Sequence, residues 1–377
     1  MIRTFRFPAI DRVVHGAGAI ATVPKLVDEL GGQRVMIVTG RTLATHTPLI
    51  DALASALGAR HAVTFATMRA HAPRADIDEA IAVARAADAD VLIGYGGSSV
   101  TDATKIVALR LVESGARSRV AQIHVPTTLS SGEWTPAAGM TGDIAGVKTY
   151  VADSRMAPFA VVLDPEVTLR TPIELWLSTG IKVLDHACEM LWGPRSHPFT
   201  DTLAQESLRR IRRSLPATRV DPGALDVSDM LAARLDCQLA GWMSMAGIVN
   251  VRVHLSHTLG HQIAARWDVG HGITSCITLP PVLRFMATEH PEGVRRVADA
   301  FDIAASNRPI EIVATETAAA IAAFVARLGL PDRLRDVGAR REDFPAVAEA
   351  TITAGQATGY VPRGGTDALL ELLDSMW

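Results

Sequence analysis

The 377-residue sequence predicts two domains, a parallel α/β domain over residues 1–165 and an all-α domain over residues 166–377. In the first 165 residues, short apolar runs alternate with segments of helical period, which is the pattern of a parallel sheet covered by helices. After Asp164-Pro165 the strand-like runs almost vanish, and helical periods rich in Ala, Leu and Arg continue to the end. A chain of this length exceeds what one small core needs, which agrees with two domains.

Five short apolar runs in the first domain predict buried strands, and two segments between them predict helices. The strand runs are Arg34–Thr39, Val63–Ala66, Val91–Gly94, Ile123–Val125 and Val161–Leu163. The helical segments are Ile77–Ala87 and Thr101–Leu111. Turn residues follow three of these strands, around positions 39–41, 94–99 and 126–128. Ligands of a doubly wound sheet bind at the carboxyl ends of its strands, so these turns are the expected ligand loops.

The composition excludes several classes of protein. The formal net charge is 37 − 40 = −3, with scattered charges and no basic stripe, so nucleic acid is not an expected partner. Cys188, Cys237 and Cys276 are widely spaced, which fits a reduced cytoplasmic protein better than a disulfide framework. The first residues lack the apolar stretch of a secretory signal, and no segment is apolar enough to span a bilayer. The expected partner is a small-molecule substrate, without nucleic acid or membrane.

The stretch Gly96–Ser99 (GGSS) is a glycine-rich loop between a predicted strand and a helix expected to start near Thr101-Asp102. Glycine lets the backbone approach a ligand closely, and the N–H groups of a helix start favour a phosphate. An ordinary tight strand–helix turn has the same sequence, and a lone glycine-rich loop is a weak signal. Both interpretations stay open from this motif alone.

A second loop, Pro126–Glu133 (PTTLSSGE), follows the next predicted strand and is rich in hydroxyl side chains. Hydroxyl groups and bare backbone N–H groups suit a phosphate or a ribose. The alternative is a helix-capping cluster in which Glu133 takes the capping-box position relative to Ser130. The two interpretations are compatible.

Four histidines lie close together between residues 254 and 272. His254, His257 and His261 are spaced to share one helical stripe, and His271 lies in a glycine-flanked turn. A His pair at i and i+4 joined by a third His from a turn is a common way to hold a divalent metal. A single histidine of this kind is usually structural, but the clustering favours a functional site.

A polar stripe is predicted on the helix around residue 185. One apolar stripe runs from position 181 to position 191, and Lys182, His186 and Glu189 form a second stripe. The alternative is a solvated polar face with a Lys182–Asp185 pair, and this stretch taken alone favours that alternative.

The order of these motifs resembles the iron-containing alcohol dehydrogenase family, which is grouped with glycerol dehydrogenase and dehydroquinate synthase. The resemblance covers nearly the whole chain, and its specific motifs are VTGRTL at 38–43, GGSSVTDATK at 96–105, PTTLSSGEWT at 126–135, DPEVTLRTP at 164–172 and the histidine block. The Ser-Gly-Glu form of the second loop, the segment His71–Pro73 and Pro362-Arg363 are most similar to the maleylacetate reductase branch. The resemblance implies the dehydroquinate synthase-like fold: an N-terminal dinucleotide-binding domain, a C-terminal helical domain and an active site in the cleft between them.

The resemblance also implies a cofactor, NADPH or NADH, on the loops of the first domain. Loop 96–99 would hold the pyrophosphate, and loop 127–132 would line the nicotinamide side. The implied cofactor-binding residues are Gly40, Arg41, Gly96, Gly97, Ser98, Ser99, Asp102, Thr127, Thr128 and Ser131. Ser98 replaces the third glycine of the family's loop, a minor change because its N–H remains. Gly40 replaces the Asp of many NAD-selective members and Arg41 is adjacent, so we expect NADPH to be accepted at least as well as NADH.

The largest departure from the family concerns its metal site of one Asp and three His. By resemblance His186, His257 and His271 match the three metal-binding histidines, and His261 matches a nearby non-ligand. Lys182 occupies the Asp position, four residues before His186. An ammonium cannot ligate without losing its proton, and a divalent ion beside it would be repelled. The carboxylate at position 185 points elsewhere on the helix, so tightly held iron or zinc is not expected.

The expected activity is NAD(P)H-dependent reduction of a small oxo acid or related carbonyl compound, as in maleylacetate reductase, without a metal. The expected catalytic residues are Lys182, His186, His257, His261 and His271. Lys182 would polarise a carbonyl oxygen or hold a substrate carboxylate, and His261 would relay or donate the proton. The alternatives are a metal-dependent alcohol dehydrogenase, a non-redox lyase or cyclase-like enzyme, and a binding protein on the same fold. The family also suggests a homodimer.

Overall fold

The computed structural model describes residues 4–142, 148–219, 227–251 and 254–377. Residue contacts divide the chain into two compact units. The sheet unit comprises Pro8–Pro172 and Val227–Gln238, and the helical unit comprises the other described residues. Residues 227–238 therefore pack with the sheet unit although they follow residue 165 in the chain. The boundary between residues 165 and 166 stays a prediction.

The sheet unit is built on parallel strands. Its described strands are β1 Arg12–His15, β2 Val35–Val38, β3 His61–Phe65, β4 Val91–Gly96, β5 Ala121–Pro126, β6 Ala137–Thr141, β7 Lys148–Ala152 and β8 Ala160–Leu163. Six of them form one parallel sheet in the order β1-β8-β5-β4-β2-β3, and β6 and β7 form a separate antiparallel pair. All residues of β2, β4 and β8 are buried, so helices must cover both faces of the sheet.

Helices cover the two faces of the sheet with separate hydrophobic clusters. The helices of this unit before residue 165 are α1 Val23–Glu29, α2 Arg41–His46, α3 Leu49–Leu57, α4 Arg74–Ala86 and α5 Ser98–Glu113. Met36 and Leu92 point to one face and pack with α4 and α5. Ile37 and Ile93, the next residues along the same strands, point to the other face and pack with α1 and α3. The strands are therefore uniformly apolar because alternate residues meet different helices.

The helical unit follows from Ile173 onward. Its helices are α6 Ile173–Trp192, α7 Pro198–Ser214, α8 Val227–Met245, α9 Ile248–Val251, α10 Leu255–Trp267, α11 His271–Glu289, α12 Pro291–Ala300, α13 Ile310–Arg327, α14 Phe344–Thr358 and α15 Gly365–Ser375, with the first part of α8 counted in the sheet unit. Gly272 allows α11 to approach α6 closely, because a Cβ there would lie 2.6 Å from the backbone of Ser178. Within the described ranges, every helix is too short or too polar to cross a membrane.

The predicted fold class, a parallel α/β unit followed by a helical unit, is confirmed. Each of the five predicted strands is present, with ends that differ by up to two residues from the sequence prediction. β1 and the β6–β7 hairpin were not predicted from the sequence. β1 is a four-residue strand at the edge of the sheet with exposed ends, and β6 (AAGMT) is poor in the β-branched and aromatic residues that mark a strand.

The three cysteines are free thiols, and all three are buried. Cys188 lies on α6, Cys237 on α8 and Cys276 on α11. Burial raises the pKa of each thiol, because a thiolate is poorly solvated inside the protein. These cysteines are structural side chains in the folded protein rather than reactive ones.

Candidate active site

The glycine-rich loop joins the end of β4 to the start of α5. Gly96 has a φ of 159° and a Cβ there would lie 2.8 Å from Val100, so a side chain does not fit at this position. Gly97 is the extended N-cap residue of α5 and makes no side-chain capping bond. The helix begins at Ser98, earlier than the predicted start near Thr101, because the two serines already adopt helical geometry. The loop thus presents the backbone start of a sixteen-residue helix.

The hydroxyl-rich loop lies beside the glycine-rich loop. The backbone N–H of Thr127 donates to the carbonyl of Gly96 at 3.0 Å, and Thr128 is the nearest side chain to Gly97. The hydroxyl residues of the loop are buried rather than solvated. The capping-box interpretation is wrong. The segment forms only a short 3₁₀ turn, Gly132–Trp134, whose N-cap Ser131 makes no side-chain capping bond.

The ten predicted cofactor residues lie in the sheet unit at the carboxyl ends of three adjacent strands. Gly40 and Arg41 follow β2, the glycine-rich loop follows β4, and the hydroxyl-rich loop follows β5. Gly40 is the N-cap residue of α2, and Arg41 is exposed at its first position. Asp102, on α5, accepts a hydrogen bond from the backbone N–H of Gly139 at 3.3 Å. These positions form one edge of the sheet, and their roles toward a nucleotide stay predictions.

Lys105 is a buried residue of this region, and its structural role was not predicted from the sequence. Its side chain is fully buried, and Nζ donates to the carbonyl oxygens of Gly132 at 2.5 Å and Ala137 at 2.9 Å. Burial lowers the pKa of Lys105 to about 8, against the opposing influence of Asp102 and Glu133. The lysine therefore fixes the segment after the hydroxyl-rich loop to α5.

Four of the predicted histidines form an array in the helical unit. The ring centroids of His186 and His257 are 5.3 Å apart, those of His257 and His261 4.2 Å, and those of His261 and His271 4.8 Å. His186 lies on α6, His257 and His261 on α10, and His271 is the first residue of α11 rather than part of a free turn. The spacing of i and i+4 on one helix, with neighbours from two others, brings these imidazoles together.

His254 does not belong to this array, contrary to the predicted stripe. It is the N-cap residue of α10, outside the helix, in an extended conformation. Its ring stacks on Tyr360 with the centroids 3.6 Å apart. Tyr360 in turn donates its hydroxyl to Glu289 at 2.6 Å. The stripe prediction failed because the helix starts one residue after His254.

Lys182 faces the histidine array across a small cavity. The cavity is lined by Lys182, Ser256, His257, Gly260, His261, His271, Thr274 and Ser275. A cation, three imidazoles and three hydroxyls thus surround one space in the described part of the helical unit. These groups suit a ligand whose oxygens carry negative charge.

His186 is a buried, neutral imidazole. It is 2% exposed, and neither ring nitrogen has a hydrogen-bond partner among the described residues. Burial lowers the pKa of His186 below its ordinary value, with further lowering by the charge of Lys182 and by His257. The ring therefore offers a nitrogen lone pair or an N–H group, but no positive charge, near neutral pH.

The helix face around residue 185 is buried, so the solvated-face alternative is wrong. Asp185 and Glu189 are both 0% exposed. Oδ2 of Asp185 accepts from the hydroxyl of Ser275 at 2.8 Å. Burial is the main cause that raises the pKa of Asp185 to about 6. Burial, followed by the charge of Asp185, raises the pKa of Glu189 to about 8.

The residues at the family's metal position include a cation, Lys182, beside the histidines. Within residues 4–142, 148–219, 227–251 and 254–377, no three His, Cys, Asp or Glu side chains converge as metal ligands. The ammonium of Lys182 lies close enough to lower the pKa of His186, and it would repel a divalent ion. The neighbouring carboxylate of Asp185 is hydrogen-bonded to Ser275 instead. The ammonium is therefore the group that disfavours a divalent ion here, because three neutral imidazoles alone can hold zinc.

Two family profiles match the chain over nearly its whole length. The profile of iron-containing alcohol dehydrogenase matches residues 11–165, and that of the Fe-containing alcohol dehydrogenase family, C-terminal, matches residues 176–377. Maleylacetate reductase of Sphingobium indicum is 32% identical to the chain over 77% of each protein. Maleylacetate reductase of Burkholderia cepacia is 29% identical over 93% of this chain and 92% of that protein.

Solved structures agree with these matches. The crystal structure of maleylacetate reductase from Agrobacterium tumefaciens has a TM-score of 0.82 and 28% identity, covering 100% of this chain and 99% of that one. A putative alcohol dehydrogenase from Ralstonia eutropha has a TM-score of 0.86 and 28% identity, covering 100% and 98%. The protein is therefore an NAD(P)-dependent oxidoreductase. It belongs to the iron-containing alcohol dehydrogenase family and resembles the maleylacetate reductases within it.

Proposed function

We propose that the protein reduces a small oxo acid or a related carbonyl compound with NAD(P)H, a proposal supported by its similarity to proteins named maleylacetate reductase. The observation that carries this proposal is the position of Lys182 on a cavity lined by three imidazoles and three hydroxyls. A cation among neutral donors attracts a carboxylate or a polarised carbonyl oxygen more strongly than it attracts an uncharged alcohol.

The proposed reaction is a hydride transfer. When bound, the nucleotide would supply a hydride from C4 of its nicotinamide to a carbonyl carbon, or to a carbon of a conjugated oxo acid, leaving NAD(P)⁺ and an alkoxide or enolate. That anion would take a proton from His261, which lies on the same cavity as Lys182. Lys182 stabilises the negative oxygen, and His257 and His271 orient it by donating N–H groups. The neutral ring of His186, 5.3 Å from that of His257, supports this arrangement.

The nucleotide is assigned to domain 1–165, and the reacting residues to domain 166–377. The helix start at Ser98 and the buried hydroxyls of the next loop support a pyrophosphate and nicotinamide side there. The absence of a carboxylate at Gly40 and the exposed guanidinium of Arg41 support acceptance of NADPH. The three buried free thiols support a reduced, cytoplasmic setting, and the family supports a homodimer.

We further propose that the reaction needs no metal ion, with Lys182 in place of the family's metal as the local positive charge. A divalent ion a few ångströms from an ammonium would be repelled by about 8 kcal/mol at 4 Å and an effective dielectric of about 20. The alternative, a metal-dependent alcohol dehydrogenase, requires Lys182 to lose its proton or move away. A non-redox enzyme or a binding protein would require no nicotinamide turnover at all.

The decisive experiment combines turnover with metal analysis. Purified protein is assayed for NADPH and NADH oxidation with a panel of small oxo acids and simple aldehydes, before and after chelation. We expect turnover with oxo acids, well under one metal equivalent per chain, and unchanged activity after chelation. Stoichiometric iron or zinc that is lost together with activity would establish the metal-dependent alternative. Nucleotide binding without turnover of any carbonyl compound would overturn the reductase proposal.

A further inference from the structure

Glu189 is a fully buried carboxylate whose bonds all reach a different helix. It lies on α6 and is 0% exposed. Its Oε2 accepts from the backbone N–H of His254 at 2.8 Å, and its Oε1 accepts from the backbone N–H of His257 at 3.1 Å. These two groups belong to the start of α10, whose own N-cap residue makes no side-chain capping bond. Glu189 therefore caps α10 from outside the helix, satisfying N–H groups that would otherwise lack partners.

The same short stretch of α6 also carries His186. His186 and Glu189 are three residues apart, so they lie on one face of a rigid helix. His257 meets both of them. Its backbone N–H is held by Glu189, and its ring lies 5.3 Å from the ring of His186. One turn of α6 thus fixes the position of the His257 ring relative to the ring of His186.

Asp185 extends this arrangement to α11. It precedes Glu189 by one helical turn and accepts from the hydroxyl of Ser275 at 2.8 Å. Ser275 lies one turn after His271 on α11. The buried carboxylate pair Asp185 and Glu189 therefore ties both histidine-bearing helices to α6, each within one turn of an array histidine.

We propose that Glu189 is a positioning residue for the reaction: by capping α10 it sets the distance and orientation of His257 and His261 toward His186 and Lys182. This proposal rests on the proposed function of the histidine array. Glu189 itself touches neither substrate nor nucleotide in this proposal. Its effect passes through the backbone at the start of α10 to the two imidazoles that the helix carries.

A purely stabilising cap would act differently from a positioning residue, and the chain offers a matched control. Asp343 is also a buried carboxylate, 5% exposed, and it holds the other end of the same helix. It accepts from Nε1 of Trp267 at 3.0 Å and pairs with Arg266. Removing either carboxylate weakens the attachment of α10. Only the loss of Glu189 should displace the His257 ring within the array, because Glu189 holds the backbone N–H of His257 itself.

The test compares Glu189→Gln with Asp343→Asn. Glutamine keeps the shape of Glu189 but has one acceptor oxygen, so one of the two N–H groups loses its partner. We expect kcat for the oxo acid to fall about 10- to 100-fold in Glu189→Gln, with nucleotide Kd unchanged. We expect kcat to change less than about threefold in Asp343→Asn at a comparable loss of thermal stability. Equal kcat losses in the two variants, or an unchanged kcat in Glu189→Gln, would overturn the proposal.

A second measurement separates this proposal from the proposed function. Protein labelled with ¹⁵N-histidine gives imidazole signals that need no turnover. We expect the signals of His186 and His257 to shift in Glu189→Gln and to stay in place in Asp343→Asn. If the wild-type protein reduces no oxo acid, the reductase proposal fails while this measurement still decides the role of Glu189. If Glu189→Gln does not fold, the same signals are measured in Glu189→Asp. This variant keeps the carboxyl group on a side chain one methylene shorter. Unshifted signals of His186 and His257 in Glu189→Asp would contradict the positioning role.

Discussion

In the sheet unit a buried lysine holds backbone carbonyls, whereas in the helical unit buried carboxyl groups hold backbone N–H and hydroxyl groups. Lys105 donates to the carbonyl oxygens of Gly132 and Ala137 beside the hydroxyl-rich loop. Glu189 accepts from the N–H groups of His254 and His257 at the start of a helix. Whether the buried side chain is a donor or an acceptor follows from what each segment leaves unpaired: a loop exposes carbonyl oxygens here, and a helix start exposes N–H groups.

A third charge, Lys182, lines a small cavity together with imidazole and hydroxyl side chains. Lys105 and Glu189 have their oxygen and nitrogen partners within the protein, so each fixes a local structure. Lys182 stands among imidazoles and hydroxyls that line the same small space, and we propose that a ligand oxygen binds there. Similar side chains therefore act as structural supports or as ligand contacts according to what their charged end meets.

The largest expected effect is on Lys182. Lys182→Ala should lower kcat/KM for an oxo acid by about 100-fold or more, because it removes the cation that stabilises the developing oxyanion. Nucleotide affinity should stay within about twofold, since no predicted cofactor residue changes. Steady-state kinetics with Lys25→Ala, an exposed lysine on α1, serve as the control. If Lys182→Ala had the kcat/KM of the wild type, Lys182 would not be a substrate contact and would not differ in role from Lys105 and Glu189.

The contribution of Lys105 to stability should depend on pH. Its pKa is lowered from 10.5 to about 8 in the fold, so between these values the unfolded chain binds a proton that the folded chain does not. The stability contributed at this position therefore rises as the pH increases from 8 to 10.5, by roughly 3 kcal/mol for a shift of about 2.5 units. Urea unfolding of wild type and Lys105→Met across this window measures the difference. A pH-independent difference between the two proteins would show that Lys105 is not a buried, protonatable support.

The close approach of α6 and α11 should be sensitive to one methyl group. In Gly272→Ala the new Cβ would lie 2.6 Å from the backbone of Ser178, so the helices must separate. We expect a loss of about 1–3 kcal/mol in the free energy of unfolding. Gly270→Ala is the matched control, because a Cβ at Gly270 meets nothing within 4 Å. Equal stabilities of the two variants would mean that the array does not depend on tight packing of its helices.

The smallest expected effect concerns the nucleotide. Gly40→Asp should shift the ratio of NADPH to NADH affinity toward NADH by about tenfold, because a carboxylate there repels a 2′-phosphate and accepts from ribose hydroxyls. A Cβ at Gly40 lies 3.3 Å from the carbonyl oxygen of Met68, so Gly40→Ala controls for crowding. Binding titrations of both nucleotides measure the ratio. The same change in Gly40→Ala would show that crowding, rather than charge, alters the preference.

Local sequence patterns predicted the parts of the molecule that depend on neighbours in the chain. The buried strands of the sheet were visible because their apolar runs are continuous. The i, i+4 spacing of His257 and His261 placed both rings on one face of α10. The glycines at 96 and 97 marked a loop where a side chain does not fit.

Other parts could not be predicted because they depend on residues far apart in sequence. The bonds of Glu189 join positions 65 and 68 residues apart, and no local pattern shows which helix start a buried acid will meet. Lys105 looks like one more polar residue on α5 until the segment 32 residues later folds over it. The error on His254 is smaller in scale: a helix that starts one residue later removes it from the stripe.

The three buried thiols can report local opening of the folded protein, because a reagent reaches them only when the structure opens. Cys188 is next to Glu189 on α6, and Cys276 is next to Ser275 on α11. Both thiols therefore lie beside the hydrogen bonds that attach α10 and α11 to α6. Because burial raises their pKa and excludes reagents, alkylation must await a transient separation of these helices. The alkylation rates of Cys188 and Cys276, compared with that of Cys237 on α8, would therefore measure how often the helices that carry the histidine array separate transiently. If a bound substrate slowed the alkylation of Cys188 and Cys276 but not that of Cys237, these helices would separate less often in the complex.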